Sequence, residues 1–452
     1  MKKRFRILAL LIVSIMVVSI FAACGAGNKP ADEGSGAAAT TAESTQPAGD
    51  TKVADNTEKK LTLWHINNDE NVTGIIKDSM TRYEEANPGV KVEILPLQNE
   101  AYKQKIRIAL GSNSAPDIFP GWTGGTMVEY IKANQIIDLT AYMNKDNYKD
   151  YFMDAGISMG TYDNKIWCVP VENMSVAGIF YNSEIFDKYK LSEPKTLTEL
   201  DNVCKVLIDN KIIPFALCNK SKYVASFYYM YLVDRLGGPE VFANAANRTN
   251  GGSFENEVFT KAGQILQDWV KKGYFPEGFN GLDSETGQHH TLLYSGEAAM
   301  YVNGAWDVSQ LKQENPEFTK KVKFMPFPSI EGGKGDPNNL VGTIGDNLYH
   351  ISATCKNPDD AFKAIQFMID ETAVEKRIAA GRLPPVKSCK AGDPLSQQIL
   401  DTILKAPSIQ LWYDQYLPPE QGEVHKDALQ AMVGLEITPE EYNARMEKAM
   451  QQ

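Results

Sequence analysis

The sequence predicts an α/β fold of mostly parallel sheets flanked by helices, and three observations predict it. Short β-prone runs alternate with segments of helical periodicity from residue 61 onward. The alternation begins β-α-β-α-β, an order that builds a parallel sheet with helices on its faces. The body after residue 60 is about 390 residues long, too long for one ordinary core, and so divides into two lobes.

Residues 61–66 alternate apolar and polar and form the first strand. Val72, Ile75, Ile76 and Tyr83 recur at helical spacing, and Asn87-Pro88-Gly89 stops that helix. Residues 90–95 are a second strand, 100–110 a helix, and Asp117 opens a third strand. Residues 165–171 and 177–181 read as two further strands. A helix covers 198–210 with Leu200, Val203, Cys204 and Leu207 on one face, and another covers 257–272. Strands follow at 298–302 and 322–327, and the Gly-rich loop 331–336 separates them from a strand at 347–352. From Pro358 the chain is helical, and its last helix opens on a capping box, Thr438-Pro-Glu-Glu441.

Ahead of the body, Lys2, Lys3, Arg4 and Arg6 precede an apolar run that ends in Ala22 and Ala23. A charged start, an apolar middle and small residues before a cut mark a secretory signal over residues 1–23. Phe21-Ala-Ala-Cys24 also resembles the lipobox of bacterial lipoproteins, with Phe21 where Leu is usual. The competing reading is an uncleaved signal anchor, because the run is almost long enough to span a bilayer. The lipobox resemblance implies a diacylglyceryl group on Cys24, and two acyl chains suffice for a stable membrane anchor. Residues 25–59 contain no aromatic residue and one large aliphatic, Val53. With Cys24 they read as a lipidated, disordered tether over 24–59.

Removing the four basic residues of the signal leaves 42 basic against 57 acidic side chains, a formal charge of −15. A surface this acidic argues against nucleic acid and anionic lipid as partners. The remaining cysteines, Cys168, Cys204, Cys218, Cys355 and Cys389, are odd in number and match no zinc spacing. A bond between Cys204 and Cys218 fits an exported protein, whereas buried thiols acting as small apolar groups are the simpler reading.

Catalytic motifs are missing. The sequence has no HExxH, no GxSxG elbow and no phosphate loop, since Gly332-Gly-Lys-Gly335 lacks the spacing and reads as a surface turn. The pair His289-His290 reads as a solvated helix start whose side chains point apart, and no metal or cofactor is expected.

Aromatic residues beside polar ones at element ends point elsewhere. Trp122 follows the third strand, Trp306 lies just past the 298–302 strand, and Trp412-Tyr413-Asp414 lies in the helical tail. In an open parallel sheet, ligands bind at the carboxyl ends of strands. A sugar offers an apolar face to a flat ring and a rim of hydroxyls to carboxylates and amides. Trp64 and Trp269 read as core.

Ala115-Pro-Asp-Ile-Phe119, Tyr162-Asp-Asn-Lys-Ile-Trp-Cys-Val-Pro170, Gly178-Ile-Phe-Tyr-Asn182, Pro194-Lys-Thr196, Gly296-Glu-Ala-Ala-Met300 and Asn303-Gly-Ala-Trp306 occur in one order along the chain. By these segments the body resembles the extracellular sugar-binding proteins of ABC importers, the maltose-binding-protein-like group. The resemblance implies a type II periplasmic-binding fold with its ligand cleft at the hinge. It implies a first lobe of 60–163 plus 330–380, and a second of 164–329 plus 381–452. Carried over residue by residue, it implies stacking by Trp306, Trp412 and Trp122, with Tyr413 beside Trp412. Polar contacts are implied for Asn68, Asp69 and Glu172; Asp307 and Asp346 are added from position.

The resulting expectation is a monomeric, lipid-anchored, extracellular binder that is not an enzyme. It would capture a carbohydrate, an oligosaccharide by the number of aromatics, and deliver it to the membrane permease subunits of an importer. A binder of another solute, a sensor subunit for a receptor kinase and a secreted glycoside hydrolase are the alternatives.

Overall fold

Leu61, Leu63 and His65 are fully buried, whereas Thr62 and Trp64 between them are half-buried. That period of two makes β1, Lys59–His65, a strand with one face in the core. The computed structural model describes residues 59–66 and 69–451; the signal, Cys24, the tether and Asn68 lie outside the described residues. Asp69 caps the helix Glu70–Ala86 by accepting a hydrogen bond from the Val72 amide, and Asn87 ends it. β2 (Val90–Pro96), the helix Asn99–Gly111 and β3 (Ile118–Gly121) complete the first unit. Both β2 and β3 run parallel to β1.

The remaining strands are β4 (Thr161–Tyr162), β5 (Lys165–Ile166), β6 (Val169–Asn182), β7 (Ile213–Phe215), β8 (Ala298–Gly304), β9 (Val322–Met325), β10 (Leu340–Ile351) and β11 (Ile409–Gln410). The main sheet runs β2-β1-β3-β10-β6-β8-β7, with β11 on β10 and β9 on β6. Pairing is parallel toward both ends of that order and antiparallel around β6 and β10. The α/β expectation holds. The two strands expected between 165 and 181 are instead short β5 and the unbroken β6, all fourteen residues of which are buried.

β6 and β10 join the two halves. Val169 and Val171 pack with Leu61, Tyr83 and Ile365, while Ile179 and Tyr181 pack with Tyr228 and Trp269. On β10, Val341 belongs with the second set and Tyr349 and Ile351 with the first. The register of β10 against β6 slips on both sides of Asp346, where Gly345 has φ +92° and Asn347 φ +55°. Such a bulge bends a strand and re-aims side chains. Here it falls where the chain passes from one half to the other.

The helix Val224–Gly237 is buried along twelve consecutive residues, Val224 to Arg235. It stands inside the second half, its hydrophobic circumference leaving no polar face. At its end, buried Arg235 donates to the carbonyls of Phe327, Pro337 and Asn339 at 3.0–3.1 Å. The Gly-rich loop runs across this end. A Cβ at Gly333 would lie 2.1 Å from the Arg235 carbonyl oxygen, and one at Gly335 2.2 Å from that of Asp234. These glycines therefore serve close backbone packing. The capping box at Thr438 and Glu441 forms as expected. The five cysteines among the described residues are free thiols, with Cys168, Cys204 and Cys218 buried.

Candidate functional site

Where β3, β8 and β10 reach the junction of the two halves, a cleft opens. Its apolar wall is aromatic. Trp306 and Trp412 meet edge to face at 5.7 Å between centroids, and Phe227 packs on both at 6.0 and 4.9 Å. Trp412 is only 3 % exposed, so its neighbours hold it rigid, while Trp306 is half-buried and offers a free face. The Trp306 ring lies over Gly304, a position with no side chain to obstruct it. Trp122 completes the wall from the loop after β3, edge-on to Tyr102 at 5.9 Å, with the Lys103 ammonium 5.2 Å from its ring centre.

The polar lining is built from element ends. Asp69, besides capping its helix, accepts from Arg382 Nη2 at 2.7 Å, and both side chains are 6 % exposed. Lys103 lies 3.0 Å from Glu100 and 3.5 Å from Asp414. Burial alone would lower the Lys103 pKa, but Asp414 and Glu100 outweigh it and hold the ammonium well above the usual lysine range. The β10 bulge brings Asp346 and Asn347 into the cleft. Asp346 accepts from Ser175 Oγ and from the Asn347 amide, both at 3.2 Å. Burial pushes its carboxyl up to about 6, against the opposing pull of Ser175 and Arg382. Glu285 lines the same space with one carboxylate oxygen buried and unpartnered; burial and the charges of Glu100 and Asp283 raise its pKa.

Asp307 begins the helix Asp307–Glu314 under Trp306 and is 1 % exposed. It accepts from Tyr301 Oη at 2.6 Å and His290 Nε2 at 2.8 Å, and lies 3.4 Å from His289 Nε2. His290 Nδ1 faces Glu314 Oε2 at 2.8 Å. With a carboxylate at each nitrogen, His290 is held protonated: burial alone would lower its pKa, but Asp307 and Glu314 raise it to about 9. This corrects the sequence reading of the histidine pair as a solvated helix start with diverging side chains. Both rings are buried, 4.0 Å apart, and converge on Asp307. An acid seventeen residues downstream decides their direction, and local spacing carries no sign of it.

Of the sequence-derived site residues, Trp306, Trp412, Trp122, Asp69, Asp307 and Asp346 line this one cleft. Two do not. Tyr413 begins the helix Tyr413–Tyr416 and turns inward, stacked on Phe242 at 3.4 Å, because Trp412 already takes the cleft side. Glu172 is fully buried and paired with Arg377 Nη2 at 3.2 Å. Neighbours along a strand face alternately, so Glu172 points away from the face that Ser175 shares with Asp346. Asn68 lies outside the described residues. Sequence reasoning missed Lys103, Tyr223, Phe227, Glu285, Asn347, Arg382 and Asp414, which line the cleft from six separate segments. Asn303 also lines it, within the Asn-Gly-Ala-Trp run already noted.

Residues 68–375 match the family described as bacterial extracellular solute-binding protein. A multiple sugar-binding protein of Streptococcus mutans is 24 % identical over 334 residues, 72 % of this chain and 75 % of that protein. A melibiose/raffinose/stachyose-binding protein of Bacillus subtilis is 22 % identical over 73 % of this chain and 75 % of its own. Among solved structures, one reported with xylan utilisation by the thermophile Caldanaerobius polysaccharolyticus is 31 % identical. It covers 86 % of this chain and 99 % of its own, with a TM-score of 0.81. The family match spans most of the body and includes β6, β8 and β10 around the cleft, so the chain belongs to the bacterial extracellular solute-binding proteins.

Proposed function

We propose that this protein captures an oligosaccharide in the cleft and delivers it to the permease of an ABC-type importer. The observation that carries the reading is the aromatic wall of Trp306, Trp412 and Trp122 facing a lining of carboxylates and amides. A pyranose ring stacks its C–H face on such a wall and donates its hydroxyls to the lining. The named relatives bind multiple sugars, melibiose, raffinose and stachyose.

The halves 60–163 plus 330–380 and 164–329 plus 381–452 are read as lobes hinged at β6 and β10. A ligand touching both selects their closed arrangement. The Glu70 amide donating to Gln313 Oε1 at 2.8 Å, and Lys426 reaching Glu100 at 3.3 Å, are contacts that closure would make or break. Lipidation of Cys24 and anchoring through the 24–59 tether complete the proposal. Among the described residues no helix is long and apolar enough to cross a membrane.

Isothermal titration calorimetry against mono- and oligosaccharides tests the reading. Saturable heat with at least one oligosaccharide is expected, and none across the panel at roughly millimolar levels would end it.

A further inference from the structure

The charges in the cleft do not balance, and the imbalance has a direction. Two cations line it, Lys103 and Arg382. Both are already engaged, Arg382 with Asp69 at 2.7 Å and Lys103 with Glu100 and Asp414 at 3.0 and 3.5 Å. Asp307 has His290 and Tyr301. Glu285 and Asp346 remain. Among the described residues Asp346 accepts hydrogen bonds only from neutral donors, the Ser175 hydroxyl and the Asn347 amide. Glu285 Oε1 is buried with no hydrogen-bond partner among the described residues. Beside them Asn347, 6 % exposed, keeps a side-chain oxygen with no partner among the described residues in the same lining. Burial raises the pKa of both carboxyls and outweighs the pull of Arg382 on Asp346 and of Lys103 and Lys220 on Glu285.

We propose that the cleft accepts an uncharged oligosaccharide and rejects the same sugar bearing a carboxylate, and that Glu285 and Asp346 enforce the choice. This rests on the carbohydrate reading and narrows its substrate class. An unpartnered carboxylate oxygen or amide oxygen is an acceptor and is satisfied by a ligand hydroxyl, which donates. A uronic acid brings another acceptor-only group. It finds both lining cations occupied and meets two acids in a desolvated space, where like charges repel far more than in water. Selection thus comes from what the cleft repels as well as from what it binds.

Calorimetry at pH 7 on the full chain tests this with cellotriose, xylotriose and raffinose, each beside a derivative carrying one uronic acid. The tightest neutral sugar should bind at least about tenfold better than its uronate. In Glu285→Gln/Asp346→Asn the gap should shrink to within about threefold, and in Glu285→Gln alone, which disturbs no buried pair, it should narrow measurably. A uronate that binds the unmodified protein as tightly as its neutral parent overturns the proposal. So does a gap unchanged in both variants. Silence from all three neutral sugars as well as their uronates would instead overturn the carbohydrate reading beneath it.

Discussion

The indole of Trp306 stands directly over Gly304, where a Cβ would come within 2.0 Å of the ring. Gly304 ends β8 and Trp306 precedes the helix Asp307–Glu314, so the chain folds the ring back across its own backbone. Glycine is therefore needed at 304 for what it lacks.

Gly304→Ala follows as a test of the platform rather than of the fold. The ring is half-buried and can swing aside, so stability should change by no more than about 1 kcal/mol. Oligosaccharide affinity should fall at least about tenfold, because the stacking face leaves its place. Calorimetry and thermal melts read the two effects separately. Undiminished affinity would show that the ring's position is immaterial.

Asp69 and Arg382 meet at 2.7 Å with side chains 6 % exposed each. Removing one partner of a buried pair strands the other charge, at a cost of about 3–5 kcal/mol. Arg382→Met should be destabilising on that scale, and Asp69→Asn/Arg382→Met should cost clearly less than the two single changes added together. Urea unfolding of the four proteins gives the coupling. Simple additivity would mean that the pair is not a unit.

The Asp346 carboxyl titrates at about 6 when folded, raised by burial and by Glu172 and opposed by Ser175, Arg382 and the Asn347 amide. Unfolded, it returns to about 3.9. The folded state binds this proton more tightly, so the stability it contributes is fully present below about pH 4 and lost as pH rises through about 6. Asp346→Asn should match the parent at pH 4 and exceed it at pH 7, by up to about 3 kcal/mol. Equal or lower stability at pH 7 would contradict the assignment.

Much of this architecture was legible in the chain. The Asn-Pro-Gly stop, the Thr438 capping box and the period-two burial of β1 are local signals that tertiary packing only reinforces. The helix Val224–Gly237 was not legible. It is apolar on every side, and a pattern without a polar face has no periodicity to detect. The continuity of β6 was hidden likewise, since Glu172, Asn173 and Ser175 look like a break until Arg377, Leu383 and Asp346 are seen to satisfy them. At the cleft, the tryptophans announced themselves because large aromatic rings at strand ends have few other uses. Lys103, Glu285 and Arg382 did not, because nothing local separates a charge aimed into a cleft from one on a solvated face.

The central claim is that the Trp306 wall binds an oligosaccharide. It is tested most directly by titrating the intrinsic tryptophan emission of the full chain and of Trp306→Ala with cellotriose, xylotriose, chitotriose and raffinose. At least one sugar should give a saturable change in the parent. Trp306→Ala should weaken that binding by roughly 10- to 100-fold with its circular dichroism unchanged. No saturable change with any of the sugars, or a variant with the parent's midpoint, would contradict the account.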